Sequence, residues 1–427
     1  MSSVLYNTGV KAYFTLLRLI SPWHPKAKKM IQGRRYALSD LEQKRKKGVP
    51  TIWIHVSSLG EYEQGHPLLE RIRKDLPEVE VVLTFFSPSG YDVRCNTPLA
   101  DIVTYLPADT SPELKTFIET LNPTIALFVK YEFWLNTISI LHQKRVPVFL
   151  VSAIFRSNQI FFKSWGKEFK EALWQYDHLF VQDENSLQLL KSIGLSNDKI
   201  TIAGDTRADR VCQIAAQPKK IKEAEYLRED AKRKGQLVLV IGSSWEEDEK
   251  IILPYLLTLD NIRLIIAPHE VHEKHLSHLE ELIGKSNLVY LSHKPSEAEI
   301  ANAKALIIDG YGLLSSLYRY ADITYVGGGF GKGIHNTLEA IAFGAPVVFG
   351  PKYHKFREAV SLLKEGGGFS IASKEEADLL MAKLISDKDY RQTAGDRAER
   401  YLSANKGATD AIFAKISDTL ENRFNSR

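Results

Sequence analysis

The chain has 427 residues, a formal net charge of +4, 44% hydrophobic and 25% charged residues. That length exceeds the roughly 250–300 residues at which a single core stops growing, so two domains are expected, and so mild a charge excludes the strongly basic field of a nucleic-acid binder. Two cysteines, Cys95 and Cys212, exclude a disulfide framework, lack metal-ligand spacing and fit a reducing compartment.

The N-terminal stretch from Val4 to Ile20 reads as an amphipathic helix. It is shorter than the roughly 20 apolar residues of a spanning helix, is interrupted by Asn7, Lys11 and Arg18, and lacks a following cleavage site. An interfacial helix is expected, with Leu5, Tyr6, Val10, Tyr13, Phe14, Leu17 and Ile20 inward and Trp23 among lipid headgroups; a helix packed on the domain is the alternative. Residues 24–47 then gather Lys26, Lys28, Lys29, Arg34, Arg35, Lys44, Arg45, Lys46 and Lys47 against Asp40 and Glu42. Such a run is either a solvated face or a contact for anionic lipid, and residues 1–48 are set apart as a membrane-associating segment.

From residue 51 onward β-branched runs alternate with helical periods. Residues 51–56, 79–85, 101–106, 124–129 and 146–152 read as buried parallel strands of a first domain, expected over 49–215. The charged stretch 219–235 reads as an interdomain segment, placed at 216–235. A second series follows at 236–242, 263–268, 288–292, 305–310, 323–328 and 346–350, in a domain expected over 236–405, with a C-terminal helix over 406–427. The expected architecture is α/β: two Rossmann-like sheets facing across a cleft, each binding at the carboxyl ends of its strands.

Chemistry is expected at those strand ends. After the first strand, Ser57, Ser58, Gly60 and Glu61 form a turn that enters a helix, where a carboxylate can take a proton from a hydroxyl or merely complement the helix dipole. After the fourth, Lys130 and Glu132 supply a second carboxylate and a cation. In the second half, Ser243, Ser244 and Trp245 precede the acidic helix start EEDE, Pro268 and His269 close the next strand, and Gly310, Tyr311 and Gly312 form a loop on which a base or ribose could lie. The run VGGGFGKGIHNTLEA holds Gly328, Gly329 and Phe330, then His335, Asn336 and Glu339. Its glycines and the helix start predict an anion site. His335, Asn336 and Glu339 are expected on one face of the first helical turn, with Glu339 accepting from ribose hydroxyls or serving as capping-box partner to Asn336.

Taken in order, SSLGEYEQGHPLLERI, YEFWLN, GSSWEEDE, the PHE turn and GGGFGKGIHNTLEAIAFGAPVVFGP resemble the bacterial 3-deoxy-D-manno-octulosonic acid (Kdo) transferases over nearly the whole chain. The resemblance implies the GT-B fold and an inverting, metal-independent transfer of Kdo from CMP-Kdo to a lipid A precursor such as lipid IVA, with no cofactor. It implies that Glu61 is the base; Glu132, from its place at a strand end, is expected to orient the acceptor or to act with Glu61 as a second catalytic carboxylate. Ser57, Ser58, Gly60 and Lys130 are then expected toward the acceptor, and the glycine-loop, His335, Asn336 and Glu339 set toward the donor. It further implies a peripheral protein on the anionic cytoplasmic face of the inner membrane. The chain departs from the family pattern at Lys130, Leu135, Ile154 and Leu313. A UDP-sugar transferase or epimerase of the same architecture is the alternative enzyme, and a bilobal solute-binding protein the alternative outside enzymes.

Overall fold

The computed structural model describes residues 4–424. The chain forms two compact units, the first made of the chain up to Arg210 and again from Lys406, the second spanning Val211–Asn405. In the first unit, β1 (Thr51–Val56), β2 (Glu80–Phe85), β3 (Ile102–Tyr105), β4 (Ile125–Val129), β5 (Val148–Ala153), β6 (His178–Val181) and β7 (Ile200–Ile202) form one parallel sheet. Its order is β3-β2-β1-β4-β5-β6-β7. Every residue of β1, β2 and β4 is buried, because helices cover both faces of a parallel sheet, and this is why those strands read as mainly apolar runs.

The second unit repeats the scheme with β8 (Leu237–Ser244), β9 (Ile262–Pro268), β10 (Leu288–Tyr290), β11 (Ala305–Ile307), β12 (Ile323–Val326), β13 (Val347–Phe349) and β14 (Gly368–Ser370). Its order is β10-β11-β9-β8-β12-β13-β14, again parallel throughout. Each sheet therefore reverses direction once, between β1 and β4 and between β8 and β12. Loops leaving adjacent strands at such a reversal diverge and open a crevice at the carboxyl ends.

Two non-glycine residues in the strands sit at positive φ where the ladder slips register. Ser152 has φ 53° beside the shift in β5, and Ser243 has φ 52° beside the shift in β8. Bulges of this kind bend a strand end and re-aim its side chains.

Three expectations are corrected. The stretch 216–235 is not a connector, since the helix Lys222–Arg233 buries Ala224, Leu227 and Ala231 within the second unit. Its charges misled because only one stripe of this helix faces inward. The C-terminal helix Ala408–Phe424 belongs to the first unit, where Ile412, Ile416 and Leu420 join the core cluster of Ile52, Ile54 and Val56. The N-terminal segment is likewise part of the first unit. In the helix Val4–Ile20 only Phe14 is buried, Tyr6, Val10, Leu17 and Ile20 are half-buried, and Leu5 and Tyr13 are exposed.

This helix is fastened by polar and aromatic contacts. Tyr6 donates its hydroxyl proton to Asp109 at 2.7 Å, and the Asn136 amide donates to Asn7 at 2.8 Å. The Arg34 guanidinium, from the helix Pro25–Lys44, lies 5.2, 4.6 and 5.4 Å from the ring centres of Phe14, Phe86 and Tyr105. Burial lowers it to about 10. Arg45 pairs with buried Glu80 at 2.5 Å. Arg34 and Arg45 thus leave the basic face to which their sequence neighbours belong. No helix among the described residues is long and apolar enough to cross a membrane.

Candidate active site

In the first unit both expected carboxylates meet at the reversal between β1 and β4. Ser58 ends the extended chain after β1 and caps the helix Leu59–Asp75, accepting from the Glu61 backbone N–H at 3.4 Å. Glu61, in the first turn, folds back so that its Oε2 accepts the Ser57 backbone N–H at 2.5 Å. The same serine donates its hydroxyl to Glu132 Oε1. One residue therefore joins the two carboxylates, through its backbone on one side and its side chain on the other. Gly60 is exposed beside them, and Lys130, at φ 71° just past β4, lends a positive charge that opposes the rise at Glu61.

The two acids differ in environment and so in protonation. Burial pushes Glu132 up, but hydrogen bonds from His55, Ser57 and Trp134 outweigh it and hold the carboxyl below its ordinary range. His55 Nε2 lies 3.1 Å from Glu132 Oε2, and Trp134 Nε1 donates to the same oxygen at 2.5 Å. On its other side His55 Nδ1 is 2.8 Å from Thr84 Oγ1, which also accepts Trp53 Nε1 at 2.8 Å. Thr84 Oγ1 can accept the indole proton and still donate to Nδ1, an arrangement in which His55 presents its Nε2 proton to Glu132. Glu61 has fewer donors. Burial first, and the charge of Glu132 second, raise it to about 7. Two carboxylates with separated protonation behaviour provide a base poised near neutrality beside a permanent anion.

His55, to which no motif in the sequence assigns a role, helps hold Glu132 ionised. The available signal was a histidine and a tryptophan two residues apart, on one face of an otherwise aliphatic strand. A cavity of about 610 Å³ opens beside Glu132, walled by Tyr6 and Val10 of the N-terminal helix together with Tyr131, Phe133, Trp134 and Phe161.

In the second unit the reversal between β8 and β12 brings the Ser243–Trp245 turn against the glycine loop. A Cβ on Gly327 would fall 2.3 Å from the Ser243 carbonyl oxygen, and one on Gly329 would fall 2.5 Å from Gly350 Cα. Those glycines are required by backbone contact inside the protein. Gly328 has φ 92°, and its N–H donates to Asp248 at 2.8 Å. Around Gly310 and Gly312 a Cβ would meet nothing within 4 Å, so both face open space.

The rings gather on this floor. Trp245 stacks on His269 with centres 4.7 Å apart, and His269 stacks on His335 at 4.2 Å. Trp245 Nε1 donates to His335 Nε2 at 3.3 Å, which requires that nitrogen to be unprotonated. Burial and the neighbouring His269 bring His335 down to about 4, and burial also lowers His269. The stack is neutral at pH 7.

The expected single face of His335, Asn336 and Glu339 is not formed. The helix is Thr337–Ala340, four residues, and His335 precedes its cap. The Gly331 and Gly333 amides both bond the Gly328 carbonyl, and the His335 amide bonds that of Gly327, so the chain stays coiled over the glycines before it turns helical. Asn336 caps the helix through Leu338 N at 3.1 Å and donates to Glu339 Oε1 at 2.8 Å, while Glu339 Oε2 accepts from Ser315 at 2.5 Å. So short a helix has little dipole, and any anion held here relies on loop amides and side chains.

Three further expected residues are engaged elsewhere. Ser244 donates to Glu249 at 2.7 Å, Phe330 packs toward the core, and Pro268 is a buried strand residue in register with Ser244. Tyr311, 75% exposed, accepts the Val271 N–H at 3.1 Å and so leans over the turn that carries His269. Among the described residues no group of three or more His, Cys, Asp or Glu is placed to hold a metal ion.

A family model described as "3-Deoxy-D-manno-octulosonic-acid transferase (kdotransferase)" matches residues 31–210. The chain is 25% identical over 380 residues to the 3-deoxy-D-manno-octulosonic acid transferase of Haemophilus influenzae, covering 87% of each chain. It is 28% identical over 378 residues to that of Rickettsia bellii, covering 86% of this chain and 87% of the relative. Among solved structures, the UDP-GlcNAc 2-epimerase of Neisseria meningitidis bound to UDP-GlcNAc superposes with a TM-score of 0.60 at 16% identity, over 87% of this chain and 100% of that one. The UDP-GlcNAc 2-epimerase of Methanocaldococcus jannaschii gives 0.51 at 15%, over 83% and 99%. At such identities the structural likeness speaks for the fold.

Proposed function

We propose that the chain is a Kdo transferase, a glycosyltransferase of GT-B fold serving lipopolysaccharide synthesis, as its similarity to such enzymes over most of its length supports, and that it moves Kdo from CMP-Kdo to a lipid A precursor. The observation that carries the reading is the Glu61 and Glu132 pair, one acid raised to about 7 and the other held ionised, at the reversal of the first sheet.

In the proposed step the acceptor hydroxyl oxygen attacks the anomeric carbon of Kdo. The bond from that carbon to the CMP phosphate breaks, and CMP leaves with the electron pair. Glu61 receives the hydroxyl proton. Attack on the face opposite CMP inverts the anomeric centre through an oxocarbenium-like state. Glu132 keeps Glu61 basic enough to accept a proton near pH 7, and Ser57 fixes the separation of the two acids.

On the donor side CMP carries a single phosphate; the Gly328, Gly331 and Gly333 amides are spent inside the protein, so its charge is met by side chains and the other amides of the loop, without a divalent ion. The neutral stack of Trp245, His269 and His335 provides a flat surface for the nucleotide, and Glu339 a ribose acceptor.

The helix Val4–Ile20 supports a peripheral place on the anionic cytoplasmic face of the inner membrane. It presents Val4, Leu5, Leu16 and Leu19 to solvent, followed by Trp23 at 84% exposure and then by Lys26 and Lys28. Incubating the chain with a lipid A precursor and freshly generated CMP-Kdo, and weighing the product by mass spectrometry, tests the reading. A mass increase of one or more Kdo residues is expected. An unchanged acceptor, with turnover of a UDP-sugar instead, would overturn it.

A further inference from the structure

Beneath the ring stack the second unit buries a carboxylate that the transfer step does not use. Glu249, in the first turn of the helix Glu246–Leu257, has no solvent exposure. Its Oε1 accepts the Ser244 hydroxyl at 2.7 Å, and its two oxygens lie 2.9 and 3.1 Å from His275 Nε2. The other ring nitrogen of His275 faces the Glu270 backbone carbonyl at 3.0 Å. A carbonyl only accepts, so Nδ1 carries a proton; an ionised carboxylate also only accepts, so Nε2 carries one too. With Glu249 ionised, the proton count makes His275 an imidazolium facing a carboxylate.

The neighbouring charges agree. Burial disfavours the charged ring, but the bond and charge of Glu249, the Glu270 carbonyl and the charge of Glu246 outweigh it, and His275 stands above the ordinary histidine value. From its own helix His278 reaches Glu249 Oε2 at 3.8 Å, and on the preceding turn His272 bonds the Glu270 carboxylate at 3.2 Å. Each partner of the pair belongs to a different strand end: Ser244 closes β8, and Glu270 follows β9. The Ser244 carbonyl also accepts the His269 N–H at 2.9 Å, so the two turns are joined once by backbone and once through the buried pair.

We propose that Glu249 and His275 form a buried ion pair that positions the Ser244–Trp245 and His269–Glu270 turns, and thereby the ring stack, for the donor nucleotide. Neither residue reaches the stack's outer face; both act through the turns. The proposal rests on the donor reading above.

Two measurements on the full chain test it. Nitrogen-15 spectra of labelled histidines, with His275 assigned by its loss in His275→Gln, should show both ring nitrogens protonated at pH 7; a single neutral tautomer overturns the ion pair. Calorimetric titration with CMP upward from pH 7, where its phosphate is already mostly ionised, should show affinity falling over the pH range in which the nitrogen-15 spectra show His275 losing its proton, because the pair exists only while His275 keeps it. His275→Gln should bind CMP about tenfold more weakly at pH 7, the worth of one charge-assisted hydrogen bond, and lose that pH dependence. A variant that melts earlier but binds CMP as wild type does would make the pair merely structural and overturn the positioning role. Failure of the wild type to bind CMP at any pH would instead remove the donor reading and that role with it, while the nitrogen spectra would still decide the ion pair.

Discussion

Glu61 and Glu132 are 71 residues apart in sequence and are bridged by a single serine, whose backbone N–H serves one and whose hydroxyl serves the other. Glu61→Gln keeps volume and part of the hydrogen bonding but cannot take a proton. Turnover is expected to fall roughly 100- to 10,000-fold, with CMP affinity near that of the wild type, because the donor residues lie in the second unit. Steady-state kinetics with calorimetry checks this, and retained activity would pass the role of base to Glu132.

The pH profile should carry the same signature. Glu61 is raised to about 7, so kcat/KM should climb as pH rises through that value and the carboxylate form accumulates. Glu132→Gln removes one of the two causes of the rise, and the acid limb should move to lower pH. Stability has the opposite sign. The folded chain holds the Glu61 proton at pH values where the unfolded chain has lost it, so stability falls as pH increases from about 4.5 toward 7. Melting curves at pH 5 and pH 8 should converge in Glu61→Gln relative to the wild type.

In the second unit two glycine substitutions should separate. Gly327→Ala drives a methyl to 2.3 Å from the Ser243 carbonyl and should cost about 1–3 kcal/mol of stability together with CMP affinity. Gly310→Ala meets no atom within 4 Å and should melt like the wild type. Differential scanning calorimetry of the pair decides whether internal packing or ligand contact governs each site.

Glu339→Ala should weaken CMP binding by about 1.5–3 kcal/mol, the range for a hydrogen bond to a charged group. Wild-type affinity in a folded variant would leave Glu339 as the partner of Asn336 and Ser315 alone.

At the membrane, Leu16→Ser, Leu19→Ser and Trp23→Ser combined should lower co-sedimentation with anionic vesicles at low salt without changing the melting temperature, since all three are exposed. Removing the whole helix is the poorer experiment, because Phe14 is buried and Tyr6 bonds Asp109.

What the sequence showed follows from how strongly each element constrains its residues. The long central strands were plain, as β1 at Thr51–Val56 matches the apolar run read there, because a strand covered on both faces admits little but apolar side chains. Strands β6, β7 and β14 escaped notice, since their three or four residues include His178 in β6, Thr201 in β7, and Gly368 and Ser370 in β14, which break any apolar run. Glu61 and Glu132 were legible since each follows a strand directly. His55, Ser315, Glu249 and His275 were not, because their meaning lies in partners 24 to 77 residues away, which no local pattern encodes. The ring of His335 joined His269 rather than Glu339 for a similar reason: backbone bonds inside the glycine loop settled where the helix could begin.

The return of the chain to its first unit governs the order in which the molecule can be made. Asp209 accepts the backbone N–H groups of Gly407 and Thr409 at 2.6 and 2.7 Å, capping a helix that lays Ile412, Ile416 and Leu420 against the first sheet. Each of those side chains contributes about 1.5–3 kcal/mol when buried. During synthesis the second unit, continuous from Val211 to Asn405, has all its residues available first. The first unit must wait with an apolar strip uncovered until the chain beyond Lys406 arrives. A released chain truncated near residue 405 would therefore hold its later-coded half folded and its earlier-coded half open to proteases and chaperones.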